Sequence, residues 1–107
     1  MVVRRAEVWL VAFNPIRGSE MGKSKPCVIV SPDEANRHLR TVTIVPLTST
    51  LRTYPTRIDC TVDGKSGQMA LDQIRTVDKD RLIRPLGRLE EATCRVLFRT
   101  LVEYFRY

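Results

Sequence analysis

The sequence predicts a mainly β fold with one C-terminal α-helix: a small, strongly curved sheet or barrel on which the helix packs. Two observations carry this. Up to Leu89 the chain is a series of short runs rich in Val, Ile and Thr, broken by Pro, Gly, Asn-Pro and Asp-Gly. Beyond Glu90 the apolar period becomes helical. Cys94, Phe98, Leu101, Val102 and Phe105 fall at i, i+4, i+7, i+8 and i+11, one stripe of a helix from Glu90 to Phe105.

Each element has its own reason. "RRAEVWLVAF" (4–13) is rich in strand formers and apolar on both faces, so it reads as a well-buried strand ended by Asn14-Pro15, with Trp9 in the core. Gly18 and Gly22 mark a loop through Lys25, after which "PCVIVS" (26–31) is a second short buried strand. Pro32-Asp33 opens a brief helix, "DEANRHL". "TVTIVPLTS" (41–49) is the clearest strand, and its Pro46 requires a bend or an edge position. "TRIDCTV" (56–62) alternates polar and apolar residues, as a half-exposed strand does. Asp63-Gly64 signals a turn, "GQMAL" and "DQIRTV" read as one or two strands, and "RLIRPLGRL" as a last short one. Glu90 and Glu91 suit the first turn of the final helix through its macrodipole. No repeat or internal linker appears, so residues 1–107 are expected to form a single domain.

Composition narrows the class. Of 107 residues, 43% are hydrophobic and 28% charged, the balance of a folded protein rather than a disordered one. Apolar runs such as "VWLVAF" are far shorter than a membrane span, and "MVVRRAEVW" lacks the pattern of a signal peptide, so a cytoplasmic protein without membrane contact is expected. Cys27, Cys60 and Cys94 are widely spaced, and His38 is the only histidine, so buried free thiols are expected and no metal site. The charge is uneven. Residues 1–57 hold nine Lys/Arg against four Asp/Glu, and residues 58–107 nine against eight. No carboxylate lies between Ala35 and Ile58, where Arg37, Arg40, Arg52 and Arg57 stand. A basic half beside a near-neutral one points to nucleic acid or an acidic partner, or to solubility alone.

Most catalytic signatures are absent: no Walker loop, no G-x-G-x-x-G, no H-E-x-x-H, no G-x-S-x-G and no evident glycosidase carboxylate pair. Asp78 and Asp80 read as a solvated helix start. What remains is the basic loop "RGSEMGKSK" with its carboxylate Glu20, and the hydroxyl pair Thr48-Ser49 ending the strongest strand. RNA cleavage needs little more, because the substrate carries its own nucleophile, the 2′-OH. The protein aligns that oxygen, stabilises the charge of a phosphorane-like transition state and assists proton transfer, which cations and hydroxyl donors can do without a metal. The product would be a 2′,3′-cyclic phosphate, and DNA would be spared.

"RRAEVWLVAFNPIRGSEMGKSKPCVIVS", then "TVTIVPLTST", then "LDQIRTVDKDRL" resemble, in order and over nearly the whole chain, the MazF/PemK toxins of bacterial type II toxin–antitoxin pairs. The most specific pieces are "G-S-E" before a basic residue and proline, "P-x-T-S" at a strand end, and "D-Q-I-R-T". The resemblance implies an SH3-like barrel of the MazF/PemK/CcdB type, a homodimer, and a metal-independent, cofactor-free, sequence-selective endoribonuclease of single-stranded RNA, an mRNA interferase leaving 5′-OH ends. It also implies a cognate antitoxin whose acidic tail competes with RNA for one surface.

Carried over by position, the resemblance places Thr48 on the family's catalytic threonine, with Ser49 beside it. Lys25 falls where an arginine usually stands; a flexible point charge replaces a planar fork there, yet it can neutralise a phosphate and protonate the leaving 5′-oxygen. Asp72 matches the aspartate of the PemK-like branch, whereas Ala70 stands where that branch has an arginine; a structural role for Asp72 stays open. Glu20 matches a carboxylate near the RNA site or caps its own loop. Arg17, Gly18, Ser19 and Lys23 in the loop, with Gln73 and Arg75 alternating along a strand, are the implied RNA contacts, against the plainer reading of surface charge and packing. Phe98, Leu101 and Phe105 either pack on the barrel, the favoured reading, or line a dimer interface. Two rivals remain: a degenerate member that binds RNA or antitoxin without cutting, and a CcdB-like binder that poisons DNA gyrase.

Overall fold

The computed structural model describes residues 1–13 and 23–107. The strands are β1 (Glu7–Ala12), β2 (Ser24–Ile29), β3 (Thr41–Thr48), β4 (Arg57–Val62), β5 (Lys65–Ala70), β6 (Arg75–Asp78) and β7 (Leu82–Arg88). The helices are α1 (Asp33–His38) and α2 (Glu91–Phe105), with 3₁₀ turns at Leu71–Gln73 and Lys79–Arg81. Every strand pair is antiparallel, in the order β4-β5-β3-β2-β1-β7, with β6 also on β3.

β3 organises the sheet because it changes partners along its length. Thr41–Ile44 pair with β6, whereas Leu47 and Thr48 pair with Met69 and Gln68 of β5. The exchange falls at Val45-Pro46, where proline supplies no N–H for a ladder. Pro46 is not at an edge: it is interior, opposite Cys27 of β2, at the point where β3 exchanges partners. At the other side, β7 pairs with β1 through two register shifts, and such bulges bend a strand and help the sheet curl. Pro85 lies in β7 at the edge of the sheet, where a missing donor costs no ladder bond on the open side. Asp63-Gly64 forms the β4–β5 turn with both residues at positive φ (52° and 76°), the geometry of a two-residue hairpin that Asp-Gly favours.

The sheet is apolar on both faces, so alternate residues enter two cores. Val8, Val28, Val45, Met69 and Leu71 meet Cys94, Leu97 and Leu101 of α2. Trp9, Val11, Cys27, Ile29, Val42, Ile44 and Val77 fill the opposite face. Each fully buried Leu or Ile contributes about 1.5–3 kcal/mol relative to an exposed one. The helical stripe needs correction. Leu97, outside it, is fully buried, while Val102 and Phe105 are 60% and 63% exposed. The sheet reaches only one side of the last helical turns, so the burying face is rotated toward Leu97 and Leu101. Phe98 packs partly on the first core, as favoured; Phe105 does not. "DQIRTV" also differs: Leu71–Gln73 turns as 3₁₀ before β6 begins at Arg75, so Gln73 and Arg75 do not share a strand. Of the free thiols, Cys27 and Cys94 are buried and Cys60 half-buried.

Candidate active site

Lys25 is the second residue of β2, paired with Val11 of β1 and exposed. β2 and β3 pair as Cys27↔Pro46, Val28↔Val45 and Ile29↔Ile44. Lys25 stands two residues before Cys27 on β2 and Thr48 two residues after Pro46 on β3, both just beyond the paired stretch of the two strands. Both side chains border a cavity of about 590 Å³ with Ser49, Thr50, Lys65 and Arg84. Lys25 also borders a second cavity, of about 370 Å³, with Phe13, Lys23, Pro46, Gln73 and Arg75. Lys25 is thus a cationic ridge between two hollows. Among the described residues the ion pairs are Arg57–Asp72, Arg95–Glu91 and Arg106–Glu103, and none engages Lys23, Lys25, Lys65, Arg75 or Arg84. Unpaired cations around concave surface concentrate positive potential and attract a polyanion.

Thr48 is half-buried at the end of β3, where its Oγ1 accepts a hydrogen bond from the Thr50 backbone N–H at 3.1 Å. That bond occupies one lone pair and leaves the hydroxyl proton to be donated. Gly67 runs so close to β3 that a Cβ there would lie 2.9 Å from the Thr48 carbonyl oxygen, so the strand needs glycine at this contact. Ser49 is exposed beside Thr48 and also borders a third hollow with Asp59 and Glu90.

Asp72 borders neither Lys25 cavity. It accepts from Arg57 Nε at 2.9 Å, Arg57 Nη2 at 3.3 Å and Thr56 Oγ1 at 3.0 Å. Its carboxyl is held below the usual carboxylate range, chiefly by the Arg57 hydrogen bonds and then by Thr56, against the opposing pull of burial. Arg57 in turn is raised by that same bond. A carboxylate so held is a weak base, and its geometry is that of a brace. Beneath the second cavity, burial pushes the Cys27 thiol up to about 12 despite Lys25 and Arg75 nearby, so it is inert as a nucleophile at neutral pH. The Arg75 guanidinium lies 5.2 Å from the Phe13 ring centroid, a cation–π contact that closes one wall.

Of the residues singled out in the sequence, Lys23, Lys25, Gln73 and Arg75 come together at one cavity, and Lys25, Thr48 and Ser49 at the other. Asp72 stands apart, and Arg17, Gly18, Ser19 and Glu20 lie outside the described residues. Sequence reasoning missed Phe13, Pro46, Lys65 and Arg84 as cavity walls and Gln68 as a buried polar group. Gln68 had a signal, a lone amide inside the apolar run "GQMAL". The walls had none, because they come from four different strands or strand ends. Among the described residues, no group of three or more His, Cys, Asp and Glu could hold a metal ion.

The profile of the PemK-like, MazF-like toxins of type II toxin–antitoxin systems matches residues 4–105. Similar proteins include Endoribonuclease MazF9 of Mycobacterium tuberculosis, 36% identical over 85% of this chain and 86% of the relative. Endoribonuclease MazF of Staphylococcus epidermidis is 33% identical over 85% and 81%. Among solved structures, an endoribonuclease in complex with its cognate antitoxin, from a mycobacterial species, superposes with a TM-score of 0.78 at 32% identity, over 94% of this chain and 92% of that one. MazF of Deinococcus radiodurans, at 22% identity, has the same fold with a TM-score of 0.82 over 100% and 99%. By the match across residues 4–105, the chain belongs to the PemK-like, MazF-like toxins of type II toxin–antitoxin systems.

Proposed function

We propose that the protein is a toxin that cleaves single-stranded RNA without a metal, acts in the cytoplasm as a homodimer, and is silenced by an antitoxin with an acidic tail. Family membership supports the toxin class, and relatives covering most of the chain are endoribonucleases. The observation that carries the chemistry is the placement of Lys25 and Thr48 on neighbouring strands around one cavity, with the Thr48 hydroxyl already accepting a bond and so free to donate.

In this reading the 2′-oxygen forms its bond to phosphorus as the P–O5′ bond breaks. The Lys25 ammonium and the Thr48 hydroxyl stabilise the extra charge on the non-bridging oxygens. Lys25 supplies the proton that arrives at O5′. The 2′-OH proton passes to a carboxylate: the resemblance puts Glu20 near the RNA and Asp63 borders the Lys25–Thr48 cavity, whereas Asp72 is held as a weak base and borders neither cavity. The products are a 2′,3′-cyclic phosphate and a 5′-OH end. Lys23, Arg75 and Gln73 hold the strand at the second cavity, and an acidic antitoxin segment would compete for the same cations. The exposed Val102 and Phe105, beside Ile74 and Pro32, offer apolar surface for a second copy.

The test is cleavage of a long single-stranded RNA in EDTA by the wild type, Lys25→Ala, Lys25→Arg and Thr48→Ala, with the ends mapped. Recurring cuts with 5′-OH ends, slowed about 10²–10³-fold but still measurable in both folded alanine variants, are expected. A silent wild type with an active Lys25→Arg would mark a degenerate toxin. Silence in all four, followed by inhibition of DNA supercoiling, would replace the ribonuclease with a gyrase binder.

A further inference from the structure

The segment after Thr48 has no regular structure until β4 begins at Arg57, yet side chains from outside tie it down, at Thr56 by Asp72 and at two points nearer Thr48. The first is Gln68, a polar side chain only 7% exposed. Its Oε1 accepts from the Arg52 N–H at 3.0 Å, and its Nε2 donates to the Arg52 carbonyl at 3.1 Å and to Asp59 Oδ1 at 3.0 Å. One amide therefore satisfies both backbone groups of Arg52, a substitute strand pairing with a side chain. The second is Arg57, whose Nη1 donates to the Thr50 carbonyl at 3.4 Å while Asp72 holds the rest of the guanidinium. Thr50, held at its carbonyl by the second anchor and two residues from the first, supplies the N–H that Thr48 Oγ1 accepts.

A threonine hydroxyl rotates freely about its C–O bond unless a donor fixes its acceptor side. A hydroxyl that must reorient before donating to a developing charge loses much of its catalytic value, since preorganised donors are the effective ones. We infer that Gln68 and the Arg57–Asp72 pair are positioning residues: they hold the Thr50 amide against Thr48 Oγ1, so that the Thr48 proton is presented to the scissile phosphate. This rests on the ribonuclease reading for its consequence, but not for its geometry. It also gives Asp72 a part in the reaction that requires no contact with RNA.

Gln68→Met keeps the side chain's length and removes all three bonds; Arg57→Lys keeps the charge and loses the fork. Each is made in the wild type and in Thr48→Ala, with the circular dichroism spectrum and melting temperature confirming a folded chain. Two quantities are read: amide hydrogen exchange at Thr50, and the single-turnover cleavage rate alongside RNA affinity. Thr50 exchange should rise at least about tenfold, and the rate should fall about 10–100-fold with affinity within about twofold, because misplacement of a reacting group penalises rate more than binding. In the Thr48→Ala background the same substitutions should leave the rate unchanged, since groups acting through one residue are not additive. Unchanged Thr50 exchange in both variants overturns the inference whatever the RNA does. An equal rate loss with and without Thr48 overturns it as well, because the effect would then not pass through that hydroxyl. If no protein cuts RNA, exchange still decides the brace, and the ribonuclease reading alone falls.

Discussion

At the Thr48 end of the candidate site the backbone is held on every side: Gly67 presses against the Thr48 carbonyl, Thr50 returns an N–H to the hydroxyl, and Arg57 and Gln68 clamp the residues beyond. At the Lys25 end the restraint stops at the main chain. β2 fixes the Cα by pairing it with Val11, while the side chain is exposed and, among the described residues, without an ion pair. The two ends suit different work. A neutral hydroxyl contributes only if aimed, whereas a point charge contributes through distance and tolerates freedom in its arm. Lys25 also borders both cavities.

The contrast can be broken most forcefully at the two residues themselves. Loss of a preorganised donor costs about 10²–10³ in rate, and Thr48→Val should show that loss in single-turnover cleavage while Thr48→Ser retains most activity. Lys25→Ala should fall as far, but Lys25→Arg should stay active, since the end with a free arm accommodates another cation. A dead Lys25→Arg would show that the lysine is held as tightly as the threonine. Next in size is Gly67→Ala. Its methyl would meet the Thr48 carbonyl oxygen, a backbone atom, at 2.9 Å, and overpacking of this kind costs about 1–3 kcal/mol. Denaturant unfolding measures it, and a neutral result would mean that β3 yields at the point described here as rigid.

Smaller effects separate charge from aim. Each phosphate contact on a single strand contributes about −0.7 to the slope of log K against log salt. Lys25→Ala should make that slope shallower by about this amount, and Thr48→Val should leave it unaltered. The Arg57–Asp72 brace supplies the last comparison. Because the folded carboxyl titrates below its ordinary 3.8, its contribution is complete above that value and is lost as pH falls through the lower, folded one. Asp72→Asn should therefore lower the unfolding free energy at pH 7, measured by denaturant titration, by under about 1 kcal/mol for a partly exposed pair. The gap to wild type should close toward strong acid. A gap that widens there would reverse the assignment.

Strand and helix identities were legible because they depend on local pattern: β-branched runs, Asp63-Gly64, and the change of period after Glu90 all act within a few residues. Lys25 and Thr48 were legible as chemistry, and their resemblance to family positions marked them. Where the chain reading failed, the deciding partner lay far away. Phe105 follows the helical stripe, yet the sheet does not extend to it. Gln73 and Arg75 fit a strand alternation, but a 3₁₀ turn intervenes so that Leu71 can be buried and Asp72 can reach Arg57. Asp72 matches a family aspartate with a structural role left open, and its partner Arg57 stands in the sequence only as part of a basic stretch. The positions of Arg17, Gly18, Ser19 and Glu20 belong to the segment outside the described residues.

β3's division of its length between β5 and β6 has a bearing on the order in which a growing chain acquires its parts. Thr48 is synthesised near the middle of the chain, but the residues that restrain it are numbers 57, 67, 68 and 72, and the strand flanking the other half of β3 ends at Asp78. Long-range pairings of this kind wait for their later members. A nascent chain that exposes Lys25 and Thr48 at the ribosome therefore carries both proposed catalytic groups without the framework that holds one of them. For a protein whose proposed target is RNA, that delay keeps the cutting function out of reach of the very message being translated until most of the chain has emerged.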